Sequence, residues 1–417
     1  MEGVLRRERG VLRRPRLARW SREARRDRQG PPQHRRVAAP KPGVTSPAGA
    51  GGPVSARLPD FPWDRLAPVR EQAAAHPGGI VDLSIGTPVD SSPALVRAAL
   101  AAASDAPGYP QTVGTVELRS AAVDWLQRRL GAAALGLDAV LPTIGSKELV
   151  ASLALHLGLG PGDLVIVPEL AYPTYEVGAR LAGCEVVRTD AMLSLGPRRP
   201  ALVWINSPSN PTGRVLPAAH LAKVVAWARE RGSVLVSDEC YVDFGWSDQA
   251  EPVSVLRPDI CDGSHEGLLA LHSLSKRSGL AGYRAGLVSG DPALVAELLA
   301  VRKNLGLMMP APVQHAAAVA LGDESHVAEQ RDRYRRRRDV LLPALAAAGL
   351  RIDHSQAGLY LWATRGEPCG DTLAWLASRG VLVASGDFYG QAGAEHVRVA
   401  LTATDDRIAA AAARLCP

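Results

Sequence analysis

Lys276 lies in Ser273-Leu274-Ser275-Lys276, and Arg284 follows eight residues later within Gly282-Tyr283-Arg284-Ala285-Gly286. A lysine amine can bond to an aldehyde, while small hydroxyls and an arginine set between glycines can hold a phosphate. Those are the two attachments that pyridoxal phosphate requires, so the chemistry to look for is that of amines.

Other residues supply what such a cofactor needs. Asp238 ends the apolar run Val234-Leu235-Val236, and a carboxylate at the carboxyl end of a buried strand stands where α/β sheets bind ligands. It can pair with a protonated pyridine nitrogen and turn the ring into an electron sink; the plainer alternative is a cap for the next helix. Tyr241 could place its hydroxyl on the ring's phenolic oxygen. Asn210, in the rigid turn Asn210-Pro211-Thr212-Gly213, could aim an amide at the same atom. Gly145-Ser146-Lys147 stands between a strand and a helix, the composition of a phosphate cradle at a helix N-terminus. Tyr172 follows the next strand and could stack on the ring, although an aromatic there is more often core. Arg398 sits in the otherwise apolar Val397-Arg398-Val399-Ala400-Leu401. A buried arginine needs an anion, either a substrate carboxylate held in bidentate fashion or an internal ion-pair partner.

The elements that must position these residues follow from hydrophobic periodicity. Short apolar runs at 80–83, 140–143, 164–167, 185–188, 201–206, 234–237, 268–272 and 284–288 read as strands. They alternate with helix-like stretches at 95–103, 117–129, 147–158, 175–181, 218–231 and 293–305, the pattern of an α/β fold. Beyond about Pro312 the pattern changes to a long helix through the run Arg331 to Arg338, then strands at 359–364 and 397–401. This reads as a second, smaller α+β domain, built from 54–104 and 312–417 around a large domain at 105–311. The arginine run reads as a solvated helix face.

The chain has 417 residues and 47% hydrophobic content, enough to bury the cores of two domains. Its net charge of +6 suggests nucleic acid until it is divided. Residues 1 to 57 carry 15 Lys and Arg against 4 Asp and Glu, whereas 58 to 417 carry 33 against 38. The body is mildly acidic, and neither nucleic acid nor membrane is an expected partner. Residues 1–53 are rich in Arg, Pro and Gly and read as a disordered extension. A functionless extension is favoured there over a targeting peptide or a nucleic-acid-binding arm, with Val54 a natural beginning of the folded chain. Five cysteines without a CxxC argue against a disulfide framework and a zinc site, and no metal is expected. A cytoplasmic setting is the simplest expectation.

Taken together, Gly86, Tyr109, Gly145-Ser146, Tyr172, Asn210, Asp238, Tyr241, Lys276, Arg284 and Arg398 occur in the order of the motifs of class I and II aminotransferases. The chain resembles that family from about Val54 to its end. The resemblance implies fold type I of the pyridoxal phosphate enzymes: a large domain with a mostly parallel seven-stranded sheet plus a smaller α+β domain, working as a homodimer. It implies that Lys276 bonds the cofactor and shuttles the proton, Asp238 holds the pyridinium, and Tyr241 and Asn210 bond the phenolic oxygen. Tyr172 would stack on the ring. Gly145, Ser146, Lys147, Ser273, Ser275 and Arg284 would surround the phosphate, with Tyr109 reaching in from a neighbouring subunit, and Arg398 with the loop at Gly86 would hold the substrate's α-carboxylate.

At finer grain, Phe61-Pro62-Trp63-Asp64, 82–90, 168–175 and Gly358-Leu359-Tyr360-Leu361-Trp362 are similar to actinobacterial succinyldiaminopimelate aminotransferases. That likeness implies N-succinyl-LL-2,6-diaminopimelate and 2-oxoglutarate as substrates, in lysine and diaminopimelate biosynthesis. Aspartate- or alanine-type aminotransferases and a β-lyase on the same cofactor are the alternatives; an aminotransferase-like regulator is remote, because residues 1–53 are too short for a winged helix. Arg277 and Gly279 depart from the Thr and Asn expected after the lysine, which could alter the rim of the site. A succinyl carboxylate needs a cation, for which Arg302, Lys303 and Lys147 are the candidates.

Overall fold

The computed structural model describes residues 54–132, 134–246 and 250–415. The expectations for residues 1–53 lie outside them. Thirteen strands are present: β1 (Val81–Asp82), β2 (Val140–Ile144), β3 (Leu164–Val167), β4 (Glu185–Arg188), β5 (Leu202–Asn206), β6 (Val234–Asp238), β7 (Leu268–Ser273), β8 (Ala285–Gly290), β9 (Arg351–Asp353), β10 (Tyr360–Thr364), β11 (Val381–Leu382), β12 (Ala384–Ser385) and β13 (Val397–Ala400). Seven of them form one sheet in the order β2-β8-β7-β6-β5-β3-β4. All its pairings are parallel except those of β8 with β2 and β7.

Apart from the edge strand β4 its strands are almost wholly buried, and alternate residues enter different cores as the two-residue pleat requires. Leu164 and Ile166 join the core formed with helices Val116–Leu130, Ala218–Glu230 and Ala311–Gly322. Val165 and Val167 join the one formed with helices Ser146–His156, Thr174–Ala182 and Pro292–Leu305. Local chemistry sets the helix ends. Thr115 caps Val116–Leu130 through the Leu118 N–H (3.2 Å), and Gly131, at φ 66°, closes that helix in the left-handed conformation.

A four-stranded antiparallel sheet, β12-β13-β10-β9, packs with helices Ser325–Ala347 and Asp405–Leu415 around a further core. The segment after β1 is threaded into this region. Leu83 donates to Leu382 O (2.7 Å) and accepts from Ala400 N (2.9 Å), which lays 83–86 beside β13. The described residues, from Val54 onward, form one compact unit.

Two expectations change. The stretch from Pro312 is two helices, Ala311–Gly322 and Ser325–Ala347, separated at Asp323-Glu324. Nor is the arginine run uniformly solvated: Tyr334, Arg337 and Leu341 are buried at helical spacing. Arg337 grips Asp90 through both terminal nitrogens (2.6 and 2.8 Å) and donates to Asp405 from Nε (2.6 Å). Composition marked the run as charged, but distant aspartates turned one of its arginines inward.

Candidate active site

The carboxyl ends of β3, β5, β6 and β7 and the 83–86 strap converge on a cavity of about 740 Å³. Its walls include Gly86, Ser146, Lys147, Tyr172, Asn210, Asp238, Tyr241, Ser273, Ser275, Lys276, Arg284 and Arg398, so tertiary structure gathers twelve of the residues singled out from the sequence. Gly145 adjoins it through Arg284, since a Cβ on Gly145 would collide with that guanidinium. Tyr109 does not take part; it is 97% exposed.

Lys276 stands on the short helix Leu274–Arg277, capped by the Ser273 hydroxyl, which accepts from Ser275 N (3.2 Å). Its Nζ donates to the Gly86 carbonyl. Burial, with Arg398 and Arg284 nearby and against the opposing pull of Tyr360, holds its amine below the ordinary lysine value. A lowered pKa favours the neutral amine, the form that attacks an aldehyde.

Asp238 is buried at the end of β6. It accepts from the Tyr175 hydroxyl (2.7 Å) and from Cys240 N (3.1 Å), which fixes the plane of the carboxylate. Burial above all, then Asp238, pushes the Tyr175 hydroxyl well above the usual tyrosine range, so it remains a donor. Sequence reasoning gave Tyr175 no role of its own, although its place one helical turn after Tyr172 is a usable signal. Tyr172 lies edge-on to Tyr175 at 5.9 Å.

The phosphate cradle is the N-terminus of helix Ser146–His156. Arg284 is held left-handed at φ 59°, a conformation non-glycine residues rarely keep without compensation, and donates to Ala281 O (2.9 Å). Burial and then the proximity of Arg284 lower the pKa of Lys147. Two cations repel one another beside a helix N-terminus that already favours anions. Together with the close approach at Gly145, this arrangement fits a phosphate, and the lysine and carboxylate fit the aldehyde and ring nitrogen of pyridoxal phosphate.

Arg398, on β13, is 2% exposed. It donates to Asn210 Oδ1 (2.9 Å) and Ser84 O (2.7 Å), and its guanidinium lies 3.9 Å from the Tyr360 ring centre. No carboxylate among the described residues pairs with it, which removes the internal ion pair as its explanation. Tyr360, given no role from the sequence, shares a hydroxyl–hydroxyl bond with Tyr241 (3.2 Å). Burial alone would raise its pKa, yet Arg398, then Lys276 and the Tyr241 bond, carry it below the ordinary value.

Residues 79–415 match the sequence pattern of the family described as aminotransferase class I and II. The chain belongs to that family. Its chemistry is therefore pyridoxal phosphate-dependent amino-group transfer. The chain is 62% identical to a probable aminotransferase of Mycobacterium tuberculosis, over 93% of each protein. It is 59% identical to the 4-dedimethylamino-4-oxo-anhydrotetracycline transaminase of Streptomyces rimosus, over 86% of this chain and 99% of that one. The solved structure of a probable N-succinyldiaminopimelate aminotransferase from Thermus thermophilus superposes with a TM-score of 0.77 at 29% identity, covering 85% of this chain and 99% of that one.

Two expectations about the rim are corrected. Arg302 is fully buried, and Glu148 engages both its terminal nitrogens (2.8 and 3.0 Å), so it has no charge to spare for a substrate. Arg277 is 3% exposed, not at the rim. It donates to Ala320 O (2.8 Å), pairs with Asp243 (3.1 Å) and Glu324 (2.9 Å), and lies over Trp125, anchoring the lysine's helix from below. Among the described residues no helix is long and apolar enough to cross a membrane, and no group of side chains could hold a metal ion.

Proposed function

We propose that this aminotransferase moves the amino group between N-succinyl-LL-2,6-diaminopimelate and 2-oxoglutarate. The observation carrying the reading is one large cavity whose wall holds four basic side chains without an ion pair among the described residues. With Lys276 and Arg284 given to the cofactor's aldehyde and phosphate, Arg398 beside Tyr360 and Asn210, and Lys147 with its amine 5.5 Å from the Phe61 ring centre, remain for substrate carboxylates. A substrate with a further carboxylate besides its α-carboxylate suits two such cations, and Phe61 and Trp63 give its methylenes apolar cover. Of the three cations weighed for the succinyl group, Lys147 is the one in the cavity wall.

The proposed roles follow from the geometry. Pyridoxal phosphate, when bound, supplies the aldehyde that bonds to amines and the ring that takes up the electron pair left when the substrate's Cα loses its proton. Arg398 holds the α-carboxylate and thereby orients the Cα–H toward Lys276. Lys276, once released by the incoming amine, is the base that carries this proton. Asp238, kept in plane by Tyr175, holds the proton on the ring nitrogen, and Tyr241 and Asn210 face the phenolic oxygen. Tyr109 is proposed to complete the site of a second copy in a homodimer.

The relative that acts on a tetracycline precursor supports a second reading, a polycyclic ketone as amino acceptor, which a cavity of this size and aromatic rim would admit. Single-turnover absorbance separates the two. Bleaching of the yellow cofactor by N-succinyl-LL-diaminopimelate and recovery with 2-oxoglutarate, lost about tenfold in Lys147→Ala, is the expected result. Bleaching by other amino donors alone, with recovery on a polycyclic ketone, would select the second.

A further inference from the structure

A second cavity, of about 270 Å³, shares a wall with the first. Asn206 borders both; Asn210 faces the lysine's cavity, while Ser209 and Thr212 of the same turn face the other. This second space lies outside the carboxyl ends of β3, β4 and β5, where Pro168, Thr189 and Asn206 stand. β3 and β5 are neighbours whose outgoing chains run to opposite sides of the sheet, β3 to β4 and β5 to β6. Crevices at such a reversal are where open α/β sheets take ligands. No step of amino transfer draws on this one.

Its chemistry has a sign. Its walls include Trp204, buried in the middle of β5, and Thr212. Lining it are Arg214, His220 and His354, all exposed, against one carboxylate, Asp190. Among the described residues none of the three basic side chains has a hydrogen bond or ion pair, whereas Asp190 already accepts from Glu169 N (3.3 Å). His354 and Ser355 are consecutive non-glycine residues in the left-handed region, at φ 65° and 78°. Arg338 restrains them by donating to both Ser355 Oγ (3.1 Å) and Ser355 O (3.1 Å). Strain of this kind persists where the surroundings demand it and clusters at ligand sites.

We infer that this cavity binds a small anion bearing a phosphate or carboxylate group, held by Arg214 with His220 and His354 and lying against the Trp204 ring. Its volume falls just under the range of about 300 to 1,000 Å³ for ligand pockets, which limits the occupant to a small metabolite. Trp204 also stacks on Tyr175 at 4.7 Å, the residue that donates to Asp238, so an occupant against Trp204 lies one aromatic ring from the partner of that carboxylate.

Calorimetric titration of the holoenzyme with inorganic phosphate, and separately with malonate, at constant ionic strength tests this. The holoenzyme is required because the cofactor then fills its own phosphate cradle. Saturable phosphate binding is expected, weakened at least tenfold in Arg214→Ala/His220→Ala, both surface positions whose loss the fold tolerates. Trp204→Phe should keep that binding while losing the phosphate-dependent change in indole emission. Malonate binding that falls with Arg214→Ala/His220→Ala and survives Arg398→Met shows that carboxylates are accepted too; loss in Arg398→Met alone restricts the site to phosphate. No saturable phosphate binding in the wild type, or binding indifferent to Arg214→Ala/His220→Ala, overturns the inference.

Discussion

Arg302 and Arg398 are both buried, both C-terminal to Lys276 in the sequence, and their surroundings differ in one respect. Arg302 meets a bidentate carboxylate at Glu148; Arg398 meets an amide oxygen, a backbone carbonyl and the faces of Tyr360 and Tyr389. Burying a guanidinium costs several kcal/mol, and only a counter-charge offsets most of it. The first arginine is neutralised by the fold and serves the fold. The second is left with aromatic faces and partial charges, and in the function proposed its full counter-ion arrives with the substrate.

The same replacement at both positions should therefore act in opposite ways. Arg398→Met should lower kcat/KM for amino acid substrates by roughly 10²- to 10³-fold, the effect of about 3 to 4 kcal/mol lost from a buried charged contact. Its melting temperature should stay within a few degrees of the wild type, since no fold carboxylate is stranded. A destabilised Arg398→Met with unchanged steady-state kinetics would erase the distinction. Arg302→Met leaves Glu148 without its partner and should cost about 3 kcal/mol of unfolding free energy by denaturant titration. Its KM should not move.

Lys147→Ala sharpens the comparison at intermediate size. About a tenfold loss of kcat/KM is expected for succinylated donors and little for short monocarboxylic ones, read from competing-substrate rates. The smallest effect belongs to a surface pair. Arg351 and then His396 hold Asp353 down to about 2. A depressed carboxyl contributes stability above its unfolded value of about 3.9 and loses it as pH falls through its folded value. Asp353→Asn should therefore cost no more than about 1 kcal/mol at pH 6, because exposure to solvent screens the pair, and the cost should shrink as pH falls toward 2 and vanish only below it. Thermal melts across that range would show whether a paired but exposed arginine matters as a buried one does.

Much of the central sheet was legible because most of its strands are buried on both faces and read as apolar runs; β3 falls on the expected residues, and so does the half-buried edge strand β4. The short β9, β11 and β12 were not, since two or three residues become a strand only by pairing with β10, β1 and β13. The break at Asp323-Glu324 also escaped, although Gly322 and Asp323 are poor helix formers, because the partners that hold it, Arg277 and Arg128 at Glu324, lie far away in sequence. Tyr175 and Tyr360 were missed as site residues for a similar reason. A tyrosine beside apolar neighbours reads as core until the Asp238 and Tyr241 groups that its hydroxyl meets are placed next to it.

By itself the sequence determined the family, the cofactor and the residue types that serve it, because a lysine after small hydroxyls, a strand-end aspartate and an arginine between glycines are local patterns with few other uses. Only the tertiary structure decided which charges were free. Arg302, Arg277 and Arg337 look as available in the chain as Arg398 and Lys147, and they are consumed by Glu148, by Asp243 and Glu324, and by Asp90 and Asp405. Those partners lie far away in sequence, and pairing energy depends on distance and burial, which exist only once the chain has folded.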